Sequence, residues 1–273
     1  MIFELAGIKL NISFFHTVEN DKPCLLFLHG FTGSTDDWNP LVNHIDKNFS
    51  SIGIDIIGHG GSDSPDYPEL YTADAITIQV KNIVEITTKG KVIPVGYSMG
   101  GRAALHFALR YPEMIEALIL ESTTPGIKDE KLREDRIKKD EEIVAFIESH
   151  TMGEFIDYWM NKDIFNTQRR FSEEKRREIK KLKLSNNKIG LVNSLRGFGT
   201  GAMPPMFDQL KNIKCKTLLI TGDLDTKFTN INSEMIRLFP HAEHKIIKNA
   251  GHNTHLEEPQ KFVEVVNEFL SHI

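Results

Sequence analysis

The sequence predicts an α/β protein: a mostly parallel, doubly wound sheet with an inserted helical cap. Three observations predict it. Short apolar runs of strand length alternate with segments of helical period over residues 1–122, the pattern of a parallel sheet covered on both faces. Residues 123–208 then run charged and helical, without a convincing buried strand. From residue 209 the strand–helix alternation resumes. The chain is therefore divided into a core of residues 1–122 and 209–273 and a cap of residues 123–208.

The elements follow in order. Residues 2–15 alternate and carry Ala6-Gly7, which reads as two strands joined by a tight turn. Residues 24–28 are continuously apolar, as a strand buried on both faces should be. A small-residue loop with Gly33 and Ser34 leads to a short helix at 38–45. Residues 50–56 read as a further buried strand, ending in a glycine-rich turn. Ile76, Val80, Ile83 and Val84 place a helix within 71–88. Residues 92–95 form the next strand, in which Pro94 removes a ladder donor and implies a bulge or a gap. A helix at 101–109 and a strand at 117–120 complete the first half. In the cap, helices are read at 131–148, at 172–184 behind a Ser172 cap, and at 189–195, with a short aromatic piece at 155–159. The core resumes with a strand at 217–221, a helix at 232–238, a strand at 245–247 and a last helix from Pro259.

Composition excludes several function classes. The 273 residues carry 33 basic and 38 acidic side chains, a net charge of −5, which offers no global basic excess to nucleic acid or an anionic membrane. No run approaches the length of a transmembrane helix, so stable membrane insertion is not expected. No signal-peptide pattern opens the chain, and a cytoplasmic location is the default. Cys24 and Cys215 lie far apart without a metal or redox spacing and read as buried free thiols. The number of chains in the assembly is left open.

The chemistry centres on Gly96-Tyr97-Ser98-Met99-Gly100. Gly-x-Ser-x-Gly between a strand and a helix is the nucleophile elbow, a turn so tight that flanking side chains clash and the serine Oγ is pushed out. The following helix aims its free N–H groups at the same place. A serine needs a base, and the base needs an orienter. Loops at the strand C-terminal ends supply both: Asp225 in Thr221-Gly222-Asp223-Leu224-Asp225, and His252 in Asn249-Ala250-Gly251-His252. The order Ser98, Asp225, His252 is that of α/β-hydrolases. Asp225 is preferred to Asp223 because the acid of that family ends a Gly-x-x-Asp turn. The oxyanion hole falls to the N–H groups of Phe31 and Met99. His29 reads as a loop-fixing residue and His59 likewise. His241/His244 and His252/His255 have faint metal spacing but no third ligand, so no metal and no cofactor is expected.

Arg102 stands one helical turn beyond the serine, on the same face, and the cap segment Arg133-Glu134-Asp135-Arg136 adds more guanidinium groups. Arginine reads carboxylates with a planar fork, so a small substrate with several carboxylates is expected. Together with His29-Gly30-Phe31-Thr32-Gly33, residues 55–62, Gly96 to Arg102, Glu121-Ser122-Thr123-Thr124-Pro125-Gly126, Ser194-Leu195-Arg196-Gly197, residues 222–228 and Ala250-Gly251-His252-Asn253, these motifs are similar to the 2-succinyl-6-hydroxy-2,4-cyclohexadiene-1-carboxylate synthases of the menaquinone pathway. The matches cover core and cap along nearly the whole chain. The elbow and the His-Gly piece are common to many hydrolases. The Gly-Gly-Arg after the serine, the cap segments and Asp225-Thr226-Lys227-Phe228 discriminate more.

The resemblance implies an elimination rather than a hydrolysis, expelling pyruvate from 2-succinyl-5-enolpyruvyl-6-hydroxy-3-cyclohexene-1-carboxylate without a cofactor. It implies that Ser98, His252 and Asp225 act as base, that Arg102 and Arg136 bind substrate carboxylates, and that Tyr97 and Trp159 contact substrate. One position departs from the family: where members carry a third arginine before Ser-Asn, this chain has Lys183-Leu184-Ser185-Asn186. Lysine keeps the charge and loses the fork. Two other readings remain open on the residues: a serine hydrolase of esters or carbon–carbon bonds, and a non-catalytic binding protein of the same fold.

Overall fold

Alternation of apolar strands with helices builds one sheet and its covers in the computed structural model, which describes residues 1–19 and 22–273. The chain runs β1 (Ile2–Leu5), β2 (Ile8–His16), β3 (Cys24–Leu28), α1 (Asn39–Val42), β4 (Ser50–Ile54), α2 (Ala73–Thr87), β5 (Val92–Tyr97), α3 (Met99–Arg110) and β6 (Ala117–Glu121). It continues with α4 (Glu130–Ser149), α5 (Met152–Met160), α6 (Glu173–Lys183), α7 (Lys188–Phe198), β7 (Lys216–Gly222), α8 (Thr226–Met235), β8 (Ala242–Ile247), α9 (Thr254–Glu257) and α10 (Pro259–Leu270). Strand order across the sheet is β1-β2-β4-β3-β5-β6-β7-β8. β1 and β2 pair antiparallel, as does β2 with β4, and every other neighbour pair is parallel.

The pleat sorts each strand between two cores. Leu26 and Leu28 face a cluster built with Ile76 and Val80 of α2 and Ala103 and Phe107 of α3. Leu25 and Phe27 face the opposite cluster, with Trp38, Leu41 of α1, and Phe262 and Val266 of α10. Each such side chain, fully buried, contributes roughly 1.5–3 kcal/mol to folding. Between β6 and β7 the helical segment carries a core of its own, where Val144, Ile147, Phe155 and Ile156 meet Leu191 and Leu195.

Several boundaries differ from the sequence reading. The strand expected at 50–56 ends at Ile54, because the main chain turns there to bring Asp55 onto the Thr35 N–H at 2.6 Å. The helix expected at 38–45 is preceded by a 3₁₀ turn, Thr35–Trp38, closed by a Ser34 capping box with Asp37. The helix expected at 232–238 starts at Thr226, because Asp225 caps it through the Phe228 N–H. The conflict at Pro94 resolves as an interruption of pairing. Val92 of β5 bridges Ile115, two residues before β6, and pairing with β6 itself starts at Val95↔Ile119, so the ladder slips one residue across the position that has no N–H to give. Pro94 still pairs in register with Leu26 on its other side.

Candidate active site

Ser98 sits between β5 and α3 with φ +50° and ψ −102°, a left-handed conformation that costs energy for a residue with a side chain. Close packing enforces it. A Cβ on Gly100 would lie 2.0 Å from the Leu28 carbonyl oxygen, and one on Gly101 would lie 1.6 Å from Thr123 Oγ1. The turn can therefore be made only with glycine at these positions, and it delivers Ser98 Oγ to the C-terminal edge of the sheet.

Loops after β7 and β8 bring the partners. His252 Nε2 lies 3.1 Å from Ser98 Oγ. His252 Nδ1 lies 2.7 Å from Asp225 Oδ2. Asp225 Oδ1 accepts the Phe228 N–H at 3.2 Å, so the carboxylate is held from both sides. The imidazole is 2% exposed and is walled by Tyr97 and Phe228, with ring centroids 5.5 and 4.4 Å away. Glu121 ends β6 and is fully buried. Its main-chain oxygen accepts the Ser98 N–H at 2.8 Å. Its carboxylate accepts the Thr254 hydroxyl at 2.7 Å and the His255 N–H at 3.0 Å, and lies 2.6 Å from His255 Nδ1.

Ser98 and His252 open onto a cavity of about 100 Å³, which Phe31, Tyr97, Met99, Arg102, Arg136 and Trp159 also line. Nine of the ten residues singled out from the sequence thus converge, eight of them on the cavity wall and Asp225 behind His252. The tenth, Lys183, is not on this wall. It lines an adjoining cavity of about 170 Å³ that shares Phe31, Tyr97 and Phe165 with the first. There its ammonium donates to Thr32 Oγ1 at 3.1 Å, and burial pushes its pKa down.

Arg102 is 8% exposed, and its Nη1 and Nη2 donate to Thr200 Oγ1 at 2.8 Å and to the Phe198 carbonyl at 2.9 Å. Neither partner is a carboxylate, and Nε has no hydrogen-bond partner among the described residues. Burial weakens the hold of this guanidinium on its proton, the nearby Arg136 charge adds to that, and Asp140 opposes both. A buried cation bonded only to neutral groups is poised for an anion. Tyr97 is buried too, and desolvation raises its phenol pKa well above the usual value, so the hydroxyl stays neutral.

Sequence reasoning missed Lys227, Phe228 and Phe165 on the wall of the triad cavity. Lys227 carried a signal, since it follows Asp225 by two residues. Its pKa is lowered, chiefly by burial and then by Arg136. The expectation that His29 fixes a loop matches its bonds: Nε2 accepts the Ile56 N–H at 3.0 Å, and Nδ1 lies 2.8 Å from the Gly30 oxygen. The histidines of the two spaced pairs bond separately. His252 and His255 bond to different carboxylates, and His244 bonds to Thr221. Among the described residues, no helix is long and apolar enough to cross a membrane.

Three comparisons bear on this geometry. A family model of the alpha/beta hydrolase fold matches residues 23–259. A protein of Bacillus subtilis (strain 168), named as a provisional 2-succinyl-6-hydroxy-2,4-cyclohexadiene-1-carboxylate synthase, is 40% identical over 257 residues, covering 93% of this chain and 92% of that protein. The 2-succinyl-6-hydroxy-2,4-cyclohexadiene-1-carboxylate synthase of Photorhabdus laumondii is 28% identical over 264 residues, 92% of this chain and 87% of that protein. The solved structure of MenH from S. aureus superposes with a TM-score of 0.90 at 32% identity, covering 96% of this chain and 98% of that one.

Proposed function

The chain belongs to the α/β-hydrolase fold family and, within it, to the 2-succinyl-6-hydroxy-2,4-cyclohexadiene-1-carboxylate synthases of menaquinone biosynthesis, and from that premise we infer that Ser98, His252 and Asp225 act as a base. The enzyme is a lyase that releases pyruvate from 2-succinyl-5-enolpyruvyl-6-hydroxy-3-cyclohexene-1-carboxylate. The substrate's ring proton beside the succinyl carbonyl is the acidic one, because its loss gives an enolate. Ser98 Oγ takes that proton while giving its own to His252 Nε2, and Asp225 stabilises the resulting imidazolium. The N–H groups of Phe31 and Met99 hold the charge that builds on the carbonyl oxygen; Met99 is the first residue of α3, whose N–H has no partner within the helix. The electron pair moves through the ring double bond and breaks the carbon–oxygen bond to the enolpyruvyl group. Pyruvate leaves as its enolate and regains a proton, so the step balances without oxidant or reductant.

The observation that carries this reading is Arg102, a buried guanidinium without a carboxylate partner on the wall that holds Ser98 and His252. An apolar ester has no use for it. Arg102 and Arg136 are read as the ligands of substrate carboxylates, with Tyr97 and Trp159 shaping the ring site. Residues 123–208 are read as a cap that closes over residues 1–122 and 209–273 and excludes water, which would divert the triad toward hydrolysis. Lys183 is read as an outlying cation that serves the adjoining cavity.

The test is pyruvate release, coupled to lactate dehydrogenase, from enzymatically made substrate. Ser98→Ala and Arg102→Ala are each expected to lower kcat/KM by at least about 10³-fold and 10²-fold respectively. Release at the spontaneous rate, with Ser98-dependent cleavage of simple esters instead, would replace the base assignment with an acylating one.

A further inference from the structure

Arg136 is a surface-helix arginine with an unusual partner. It lies on α4 and donates through Nε to Asp140 Oδ1 at 2.8 Å, one turn along the same helix. That is its one side-chain hydrogen bond among the described residues, so the Nη1/Nη2 edge is free while Arg136 lines the triad cavity. An arginine held by Nε presents its outer fork at a fixed angle, the geometry that a bidentate carboxylate contact needs.

Asp140 itself is 4% exposed, on the same helix that buries Val144 and Ile147, which is costly for a carboxylate. Its second oxygen, Oδ2, has no hydrogen-bond partner among the described residues. That oxygen abuts Gly199, where a Cβ would come within 2.7 Å of it. Gly199 stands between the two residues that hold Arg102, Phe198 and Thr200. Asp140 therefore bonds one arginine directly and packs on the stretch that anchors the other. Two guanidinium groups on one small cavity repel each other, and the Asp140 charge, which acts on both, offsets that repulsion.

We propose that Asp140 is a positioning residue of the substrate-carboxylate clamp, fixing Arg136 by Nε so that its Nη edge faces the triad cavity. The inference rests on Arg136 being a carboxylate ligand. It assigns Asp140 no contact with substrate.

A double-mutant cycle on KM for pyruvate release tests it. Asp140→Asn keeps the volume and removes the charge-assisted bond, and is expected to raise KM about tenfold with kcat within about twofold. In an Arg136→Ala background, itself raised in KM, the same change is expected to add less than twofold. Asp140→Glu, which keeps the charge on a longer arm, should fall between the wild type and Asp140→Asn, and it carries the test if Asp140→Asn does not fold. An equal rise in both backgrounds would mean that Asp140 acts without Arg136 and would overturn the proposal. So would a fall in KM, which would make Asp140 a competitor of the substrate. An Arg136→Ala enzyme with unchanged KM would instead remove the clamp assignment on which the proposal rests.

Discussion

Asp225 has two duties, one for each oxygen. Oδ2 faces His252 Nδ1 and Oδ1 caps α8. Asp225→Asn separates them. Asparagine caps a helix about as well as aspartate, so the melting temperature is expected to stay within about 2 °C. Catalysis should suffer far more. An amide N–H facing Nδ1 forces the imidazole proton onto Nε2, which then cannot accept the Ser98 proton. The expected loss in kcat is about 10³- to 10⁴-fold, read by single-turnover pyruvate release beside a thermal melt. A melting temperature lower by many degrees with kcat nearly kept would make Asp225 a cap first. At this scale the triad was legible, because its three residues stand in short motifs in a fixed order. The cations were legible only in part. Lys183 and Lys227 both belong to motifs, but which of them reaches the triad cavity depends on how the helical segment lies over the sheet. No local pattern encodes that.

At the scale of elements, the seating of α3 on the sheet decides whether the elbow forms. Gly101→Ala puts a methyl group 1.6 Å from Thr123 Oγ1, and Gly100→Ala puts one 2.0 Å from the Leu28 carbonyl. Both are expected to cost about 2–3 kcal/mol or more in urea unfolding, as overpacking does. They should differ in rescue. Thr123→Ala removes the clashing hydroxyl and should restore part of the loss in Gly101→Ala. No side-chain change relieves Gly100→Ala, whose obstacle is main chain. Equal rescue of both would show that α3 shifts as a body. Strands β3, β5, β6 and β7 were read to within two residues because burial on both faces makes them apolar runs, whereas the half-buried β8 starts three residues before the expected 245–247. Pro94 looked like a contradiction because a sequence shows one strand at a time, whereas the slip that accommodates it belongs to the β5–β6 pair. The first turn of α8 was missed because Thr226-Lys227-Phe228 has no apolar period and its start signal, Asp225, had already been read as chemistry.

The whole molecule carries buried and half-buried histidines that resist protonation. Burial lowers the pKa of His29, brings that of His59 to about 3, and, with Arg102 assisting, that of His106 to about 4. In the unfolded chain each titrates near ~6.5. Above that pH both states are neutral and stability is full. As pH falls below it, the unfolded chain takes up protons that the native state refuses, so stability drops by about 1.4 kcal/mol per pH unit for each such group. Urea midpoints at pH 7.5, 6.0 and 5.0 should decline with a slope approaching two protons from His59 and His106, to which His29 and His244, also lowered by burial, add. His106→Gln should flatten that slope by about one. A midpoint unchanged down to pH 5 would mean that these rings are protonated in the native state. The same packed interior gives the triad its reference. Ser98 hangs by its N–H from the main chain of Glu121, and the turn after His252 hangs from the side chain of that residue. Ser98 and His252 are thus surveyed from one benchmark on a strand that carries neither. A drift of β6 moves both together, and the 3.1 Å between them is conserved as a difference of two short tethers, not as the sum of two long loops.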